Sequence, residues 1–164
     1  MWLEIFRYAG RKRRHHWMAL ATVCCLCATA GAAELKTYWE YKEAEDFSRI
    51  SEYFSGKEAK GNRILLRSTP EQRAGLYFNV RVKGGVRTLP EGAKAVLEVL
   101  HPDFPDAREH TFKIPATDKD YRELMLGLTG ESWTSNDDKP LAWRVQILDA
   151  AGEVVGSNKS YLWR

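Results

Sequence analysis

The sequence is poor in several residue types on which catalytic and cofactor sites depend. Its three cysteines, Cys24, Cys25 and Cys27, lie in one apolar stretch, so the rest of the chain has no thiol for a disulfide, a thiolate nucleophile or a zinc site. Beyond residue 32 only two histidines occur, His101 and His110. There is no Gly-x-Ser-x-Gly elbow and no glycine-rich phosphate loop. The sequence therefore predicts a protein that is not an enzyme and has no cofactor.

An excess of one charge is also absent from most of the chain. Of the 25 Lys and Arg and the 22 Asp and Glu, five cations and one carboxylate lie in the first 32 residues, which leaves 20 cations and 21 carboxylates. Proteins that bind nucleic acids use a field of one sign, and this nearly neutral body does not supply one. We therefore predict no nucleic-acid partner.

The longest apolar run, Trp17 to Ala30, is short for a membrane span of about 20 residues. It follows a basic cluster from Arg11 to His16 and leads into small residues, which is the pattern of an export signal. We therefore predict a signal peptide over residues 1–32, no stable membrane insertion once it is cleaved, and a periplasmic or extracellular domain in a bacterium.

Ala30-Gly31-Ala32 predicts signal cleavage before Ala33, and Ala28-Thr29-Ala30 is the second choice. Three alternatives stay open. The leader is an uncleaved anchor, or Arg13-Arg14 forms a twin-arginine signal, or one of the leader cysteines carries a lipid.

After the leader, residues 33–47 are polar and aromatic and form a flanking segment, for which a short helix, an edge strand and a tether are all open. Beyond it a period of two dominates. The clearest example is Leu76 to Lys83, in which one face is apolar and the other, with Tyr77 and Asn79, is expected to be wet. The candidate strands are Ser48 to Phe54, Arg63 to Ser68, Leu76 to Lys83, Ala93 to Leu100, Glu109 to Ile114, Tyr121 to Leu126, Ala142 to Leu148 and about Val154 to Trp163.

Short strands with turn signals between them, and no convincing helical period, are typical of an all-β domain. We predict an antiparallel two-sheet sandwich of immunoglobulin or fibronectin type, with seven or eight strands, over residues 48–164. A small barrel is the alternative.

The order Ile50-Ser51-Glu52-Tyr53-Phe54, Ser68-Thr69-Pro70, Gly75-Leu76-Tyr77-Phe78 and Val99-Leu100-His101-Pro102 resembles an uncharacterised bacterial family of exported single-domain proteins. The resemblance covers roughly residues 48–163 and includes the closing Trp-containing strand, tight hairpin and final strand. It implies an immunoglobulin-like sandwich and transfers no catalytic residue.

Two groups of residues are candidates for a site. Trp39 and Tyr41 in the flanking segment form a possible docking patch, and Trp133, in a long polar loop, is either a lid on the core or exposed for a partner. His101, Asp103 and His110 offer nitrogen and carboxylate ligands for a metal, with a solvated hairpin loop as the alternative.

We therefore predict an exported, non-enzymatic domain that binds an envelope protein or a glycan through a β-surface or exposed aromatics. The alternative is a small metal-dependent or hydrolytic enzyme that uses the His101/His110 loop. The oligomeric state stays open. Trp143, between alternating apolar residues, is predicted to lie in the core.

Overall fold

The computed structural model describes residues 32–164. The strands are β1 (Leu35–Lys42), β2 (Arg63–Arg67), β3 (Gly75–Val82), β4 (Lys94–Leu100), β5 (Arg108–Lys113), β6 (Glu123–Thr129), β7 (Ala142–Leu148) and β8 (Val154–Lys159). One short helix, α1 (Ile50–Ser55), and 3-10 turns at Ala44–Phe47, Val86–Thr88 and Gly130–Ser132 complete the secondary structure of this range. The predicted signal peptide, as far as residue 31, lies outside the described residues. Between residues 32 and 164 no helix has both the length and the apolar character needed to cross a bilayer.

The strands form two four-stranded sheets, so the predicted all-β sandwich is confirmed. The first sheet has the order β1-β3-β6-β2 and the second the order β5-β4-β7-β8. Neighbouring strands are antiparallel except for β2 and β6, which are parallel. The expectation of purely antiparallel sheets is therefore wrong at β2. This strand does not form a hairpin with β3 but lies across β6 from it, at the edge of the sheet.

Near the N-terminus one predicted segment differs from the structure, and a second adopts one of the alternatives left open for it. The strand expected over Ser48 to Phe54 is wrong, because residues 50–55 form α1, which ends at Gly56. Gly56 has a φ of 62°, a left-handed conformation that glycine adopts at low cost, and its N–H donates to the Glu52 carbonyl at 2.8 Å. The flanking segment is an edge strand over most of its length, because β1 pairs with β3 along its whole extent.

The main core lies between the two sheets and contains the alternate residues of their facing strands. Trp143 is 7% exposed and packs edge-on against Phe78 of the opposite sheet, with the ring centroids 5.8 Å apart. The prediction that Trp143 lies in the core is confirmed.

A second, smaller core covers the outer face of the first sheet. It consists of Phe47, Leu65, Tyr77 and Met125. The expectation that the second face of β3 is wet is therefore wrong at Tyr77, and also at Asn79, which is fully buried. At Tyr77 the physical reason is that the chain between β1 and β2 folds back over this face and brings Phe47 onto the Tyr77 ring, with the centroids 4.9 Å apart. The Asn79 amide instead donates to the Glu40 carboxylate on the neighbouring strand β1, at 3.0 Å.

A polar network fastens this covering segment to the sheet. Both terminal nitrogens of Arg67 donate to the Glu58 carboxylate, at 2.9 and 2.5 Å, and its Nε donates to the Tyr77 hydroxyl at 2.8 Å. The ring of Tyr77 lies over Gly127, where any Cβ would come within 2.4 Å of it. Glycine at position 127 therefore lets the tyrosine reach Arg67.

The N-terminal end of the first sheet also joins the second sheet. The Ala33 N–H donates to the Val155 carbonyl at 2.6 Å, and the Asn158 side chain donates to the Leu35 carbonyl at 2.9 Å. These bonds close one side of the sandwich.

Candidate functional site

The predicted docking patch at Trp39 and Tyr41 is not an exposed surface. Both residues lie in β1 and are partly buried against the main core. The prediction that they lie outside the sandwich is wrong, because side chains along β1 point alternately to its two faces and those of Trp39 and Tyr41 point inwards. Tyr38, the residue before Trp39, points outwards and is half exposed.

Trp133 is a lid on the core, as one of its two predicted roles requires. It is 3% exposed, and its indole nitrogen donates to the Ser135 carbonyl at 3.0 Å. Its ring meets the His101 ring edge-on at 4.5 Å between centroids. Trp133 therefore offers little surface to a partner in this conformation.

The predicted metal ligands are brought together only in part. His101 Nε2 lies 3.6 Å from Asp138 Oδ2, and His101 Nδ1 lies 3.8 Å from Asp103 Oδ2. These three residues are the one group of potential ligands found together among residues 32–164. His110 does not join them, since it lies within β5 opposite Leu97, several residues from the end of β4 that precedes His101. Asp138, which sequence reasoning did not select, takes its place.

Contacts already made by His101 limit what it offers to a metal. Its Nδ1 accepts the Asp103 backbone N–H at 3.1 Å, which leaves Nε2 as its one accessible ligand atom. The ring also contacts Phe104, at 5.2 Å between centroids, in addition to Trp133. The imidazole therefore already has a packing role between two aromatic rings.

A surface that sequence reasoning missed lies on α1. Ile50, Tyr53 and Phe54 are 80–88% exposed, and the Tyr53 and Phe54 rings meet edge-on at 5.4 Å. We call these three residues the apolar ridge. Their spacing of three and four places them on one side of a helix, which is the signal that a helical interpretation of this segment would have used.

A second missed feature is a cavity of about 990 Å³ on the outer side of the first sheet, which we call the basic groove. Six cations and three carboxylates line it: Lys36, Arg63, Arg81, Lys83, Arg87, Arg122, Glu34, Asp120 and Glu123. No sequence pattern pointed to it, because these residues are scattered along the chain and are assembled by strand pairing.

The chain matches no protein-family model, and neither the curated proteins nor the solved structures gave a significant match.

Proposed function

We propose that this protein is an exported, non-enzymatic binding domain that engages a protein partner through the apolar ridge. The observation that carries the proposal is the exposure of Ile50, Tyr53 and Phe54, each at least 80%, side by side on one helix. Contiguous apolar side chains of this size are unfavourable in water, and such patches mark interaction sites.

Two contacts tie the segment that carries the ridge to the rest of the domain. Glu52, on the same helix, pairs with Arg73, and Phe47, just before the helix, is buried on Tyr77. The ridge therefore stands beside the first sheet with its three apolar side chains turned to solvent. Aromatic side chains are also the commonest sources of large binding energies at protein interfaces.

Charges of both signs around the ridge favour a protein over an anionic lipid surface. Arg49 and Lys57 flank α1, whereas Glu45 and Asp46 lie in the turn just before it. Those carboxylates would be repelled by a bilayer of anionic lipids, while the surface of a protein can supply complementary charges on both sides.

We also propose that the sandwich is immunoglobulin-like, and the strand order supports this. The second sheet, β5-β4-β7-β8, corresponds to the C′-C-F-G order of such folds, and β1-β3-β6 corresponds to A-B-E. β2 occupies the remaining edge but comes earlier in the chain than the usual fourth strand. The fold by itself does not imply a function, so the binding proposal rests on the apolar ridge.

The leader supports export. A basic cluster, an apolar run and Ala30-Gly31-Ala32 stand in the order that a cleaved signal requires. N-terminal sequencing of the mature protein should begin at Ala33 or within a few residues of it. Recovery of Met1 in a membrane fraction would instead establish an anchor.

Site-specific photocrosslinking in cells tests the partner. Tyr53 is replaced by the photocrosslinking residue p-benzoylphenylalanine, and the matched control carries the same replacement at Tyr161, which is 100% exposed in a different region. We expect a discrete adduct with another protein at position 53 only, and its loss when Ile50→Ser and Phe54→Ser are added.

Three results would overturn this proposal. No adduct at position 53, the same adducts at both positions, or an adduct only with a second copy of this chain each contradict it. Because the ridge side chains contribute little buried area, the Ile50→Ser and Phe54→Ser variant should retain the thermal midpoint of the parent, so that loss of the adduct reports binding.

A metal-dependent function is the second candidate, favoured by the grouping of His101, Asp103 and Asp138 within 4.8 Å of one another. Calorimetry with zinc ions tests it. A metal site is supported if zinc binds and if His101→Ala abolishes the binding while His110→Ala leaves it unchanged. The absence of any heat of binding at micromolar zinc would exclude a metal site.

A further inference from the structure

The floor of the basic groove is one row of charged side chains across the first sheet. Lys36 in β1 lies opposite Arg81 in β3, Arg81 lies opposite Glu123 in β6, and Glu123 lies beside Arg63 in β2. All four are on the outer face. With strands about 4.8 Å apart, the row is about 14 Å long.

The charges in the groove do not balance. Three of its cations are paired, since Arg81 contacts Glu123 at 2.7 Å, Lys83 contacts Glu34 at 2.8 Å and Arg87 contacts Asp120 at 3.8 Å. The other three cations, Lys36, Arg63 and Arg122, form no salt bridge with any of the residues 32–164. The groove therefore carries an excess of three positive charges in a nearly neutral protein.

This excess is held in an unfavourable arrangement. Lys36 lies directly opposite Arg81 on the neighbouring strand, a placement of like charges that destabilises a sheet, and Glu123 compensates the charge of Arg81 but not that of Lys36. Arg63 points a terminal nitrogen at the Met125 sulfur, 3.5 Å away, and not at a carboxylate. A concave surface with an excess of one sign also concentrates ligands of the opposite sign. An anionic ligand would relieve the repulsion.

We propose that the basic groove binds an acidic glycan, meaning a short chain of sugars that carry carboxylate or sulfate groups. The length of the row requires several anionic groups along a chain, because one small anion cannot reach both Lys36 and Arg63. The basic groove is a separate site from the apolar ridge. This proposal does not depend on the function proposed for the ridge.

The remaining lining residues distinguish a glycan from a nucleic acid. Single-stranded nucleic acids are held by aromatic side chains that stack on the bases, and within the part of the chain that the structure describes no aromatic residue lines the groove. The carboxylates of Glu34, Asp120 and Glu123 can accept hydrogen bonds from the hydroxyl groups of a glycan, and the sugar–phosphate backbone of DNA has no such hydroxyl donors. Asn62 adds an amide that can both donate and accept. A ligand with both anionic groups and hydroxyl donors matches this mixture.

Calorimetry on the mature chain tests the proposal with four probes. They are a heparin-derived hexasaccharide, an oligogalacturonate of similar length, the neutral maltohexaose and a single-stranded DNA oligomer. We expect binding of at least one charged oligosaccharide that weakens as salt is raised, no binding of maltohexaose, and weaker binding of DNA.

Two triple variants separate the groove from general charge. Lys36→Gln, Arg63→Gln and Arg122→Gln remove the unpaired groove cations, while Lys113→Gln, Lys139→Gln and Lys159→Gln remove three exposed lysines elsewhere. We expect the groove variant to bind the charged oligosaccharide at least tenfold more weakly and the control to bind it unchanged. Should the triple groove variant fail to fold, Lys36→Gln alone, at an exposed position, should still weaken binding severalfold.

Several outcomes overturn the proposal. No binding of either charged oligosaccharide at millimolar concentration does so, and so does an equal loss of affinity in the two triple variants. Tighter binding of DNA than of both glycans would identify a nucleic-acid site in its place. Adducts at position 53 report on the ridge alone, so failure at one site is distinguishable from failure at the other.

Discussion

Removing the Glu58 carboxylate should be among the most destabilising changes outside the main core. The side chains of Arg67 and Glu58 are only 7% and 14% exposed, and the two residues form a two-pronged ion pair beneath the segment that covers the first sheet. In Glu58→Ala, two guanidinium nitrogens of Arg67 lose their hydrogen-bond acceptor. Within this network the Tyr77 hydroxyl is then the one acceptor left for Arg67.

The size of the destabilisation follows from the unpaired Arg67 charge that stays buried in the variant. Removal of one partner of a buried pair costs about 3 to 5 kcal/mol, because the remaining charge stays desolvated. The residual exposure of Glu58 favours the lower end, about 3 kcal/mol, which corresponds to a fall in Tm of about 10 °C for a domain of this size. Replacement of both partners, Glu58→Leu with Arg67→Met, should recover most of this loss, since no charge is then buried.

Urea unfolding followed by tryptophan fluorescence measures these differences. The control is Glu34→Ala, which removes an exposed pair with Lys83 and should change the stability little, because exposed pairs are screened by solvent. Hydrogen bonds from Arg67 lower the pKa of the Glu58 carboxyl below its usual 4.5. The stabilisation is therefore present above that pH, and the gap between parent and Glu58→Ala should shrink as the pH falls below it. A cost below about 1 kcal/mol at neutral pH would refute the reasoning.

Two further predictions concern the second sheet. Trp143→Ala should lower the free energy of unfolding, measured with urea, by about 3 to 5 kcal/mol, because it removes the contact with Phe78 across the core. Trp163→Ala, at the partly exposed C-terminal end, should lower it much less. Equal losses would contradict the assignment of the core. Burial, assisted by Arg108, lowers the pKa of His110 below its usual 6.5, so the unfolded chain binds the proton more tightly and stability should fall as the pH drops from about 7 to about 5. His110→Leu should flatten this part of the profile of Tm against pH, and an unchanged slope would show that other groups cause it.

The strands that follow strict alternation were predictable from sequence. Ala142 to Leu148 was predicted and is found at the same residues, because the side chains on one face of β7 are buried and those on the other face are partly exposed. The burial of Tyr77 was not predictable in this way. It depends on a segment that folds over the sheet from elsewhere in the chain, and alternation within β3 contains no information about that cover.

The candidate sites were harder to predict for the same kind of reason. The apolar ridge has a local signal, since Ile50, Tyr53 and Phe54 precede a glycine that ends a helix, but a short run with aromatic and β-branched residues also fits a strand. The basic groove has no local signal. Lys36 and Arg63 become members of one row only through the register of four strands, and register across a sheet with a parallel edge cannot be read from one chain segment.

The hydrogen bonds between the start of β1 and β8 determine which side of the sandwich forms last. Asn158 and Leu35 are 123 residues apart in sequence, so the side of the sandwich that they close cannot form until nearly the whole domain has been synthesised. Folds dominated by such distant pairings form slowly, in milliseconds to seconds, because the loop must close before the contacts compensate for its entropy. A chain growing from its N-terminus therefore keeps the outer edge at the start of β1 open until β8 arrives, and during that interval the open strand edge is free to pair with other chains.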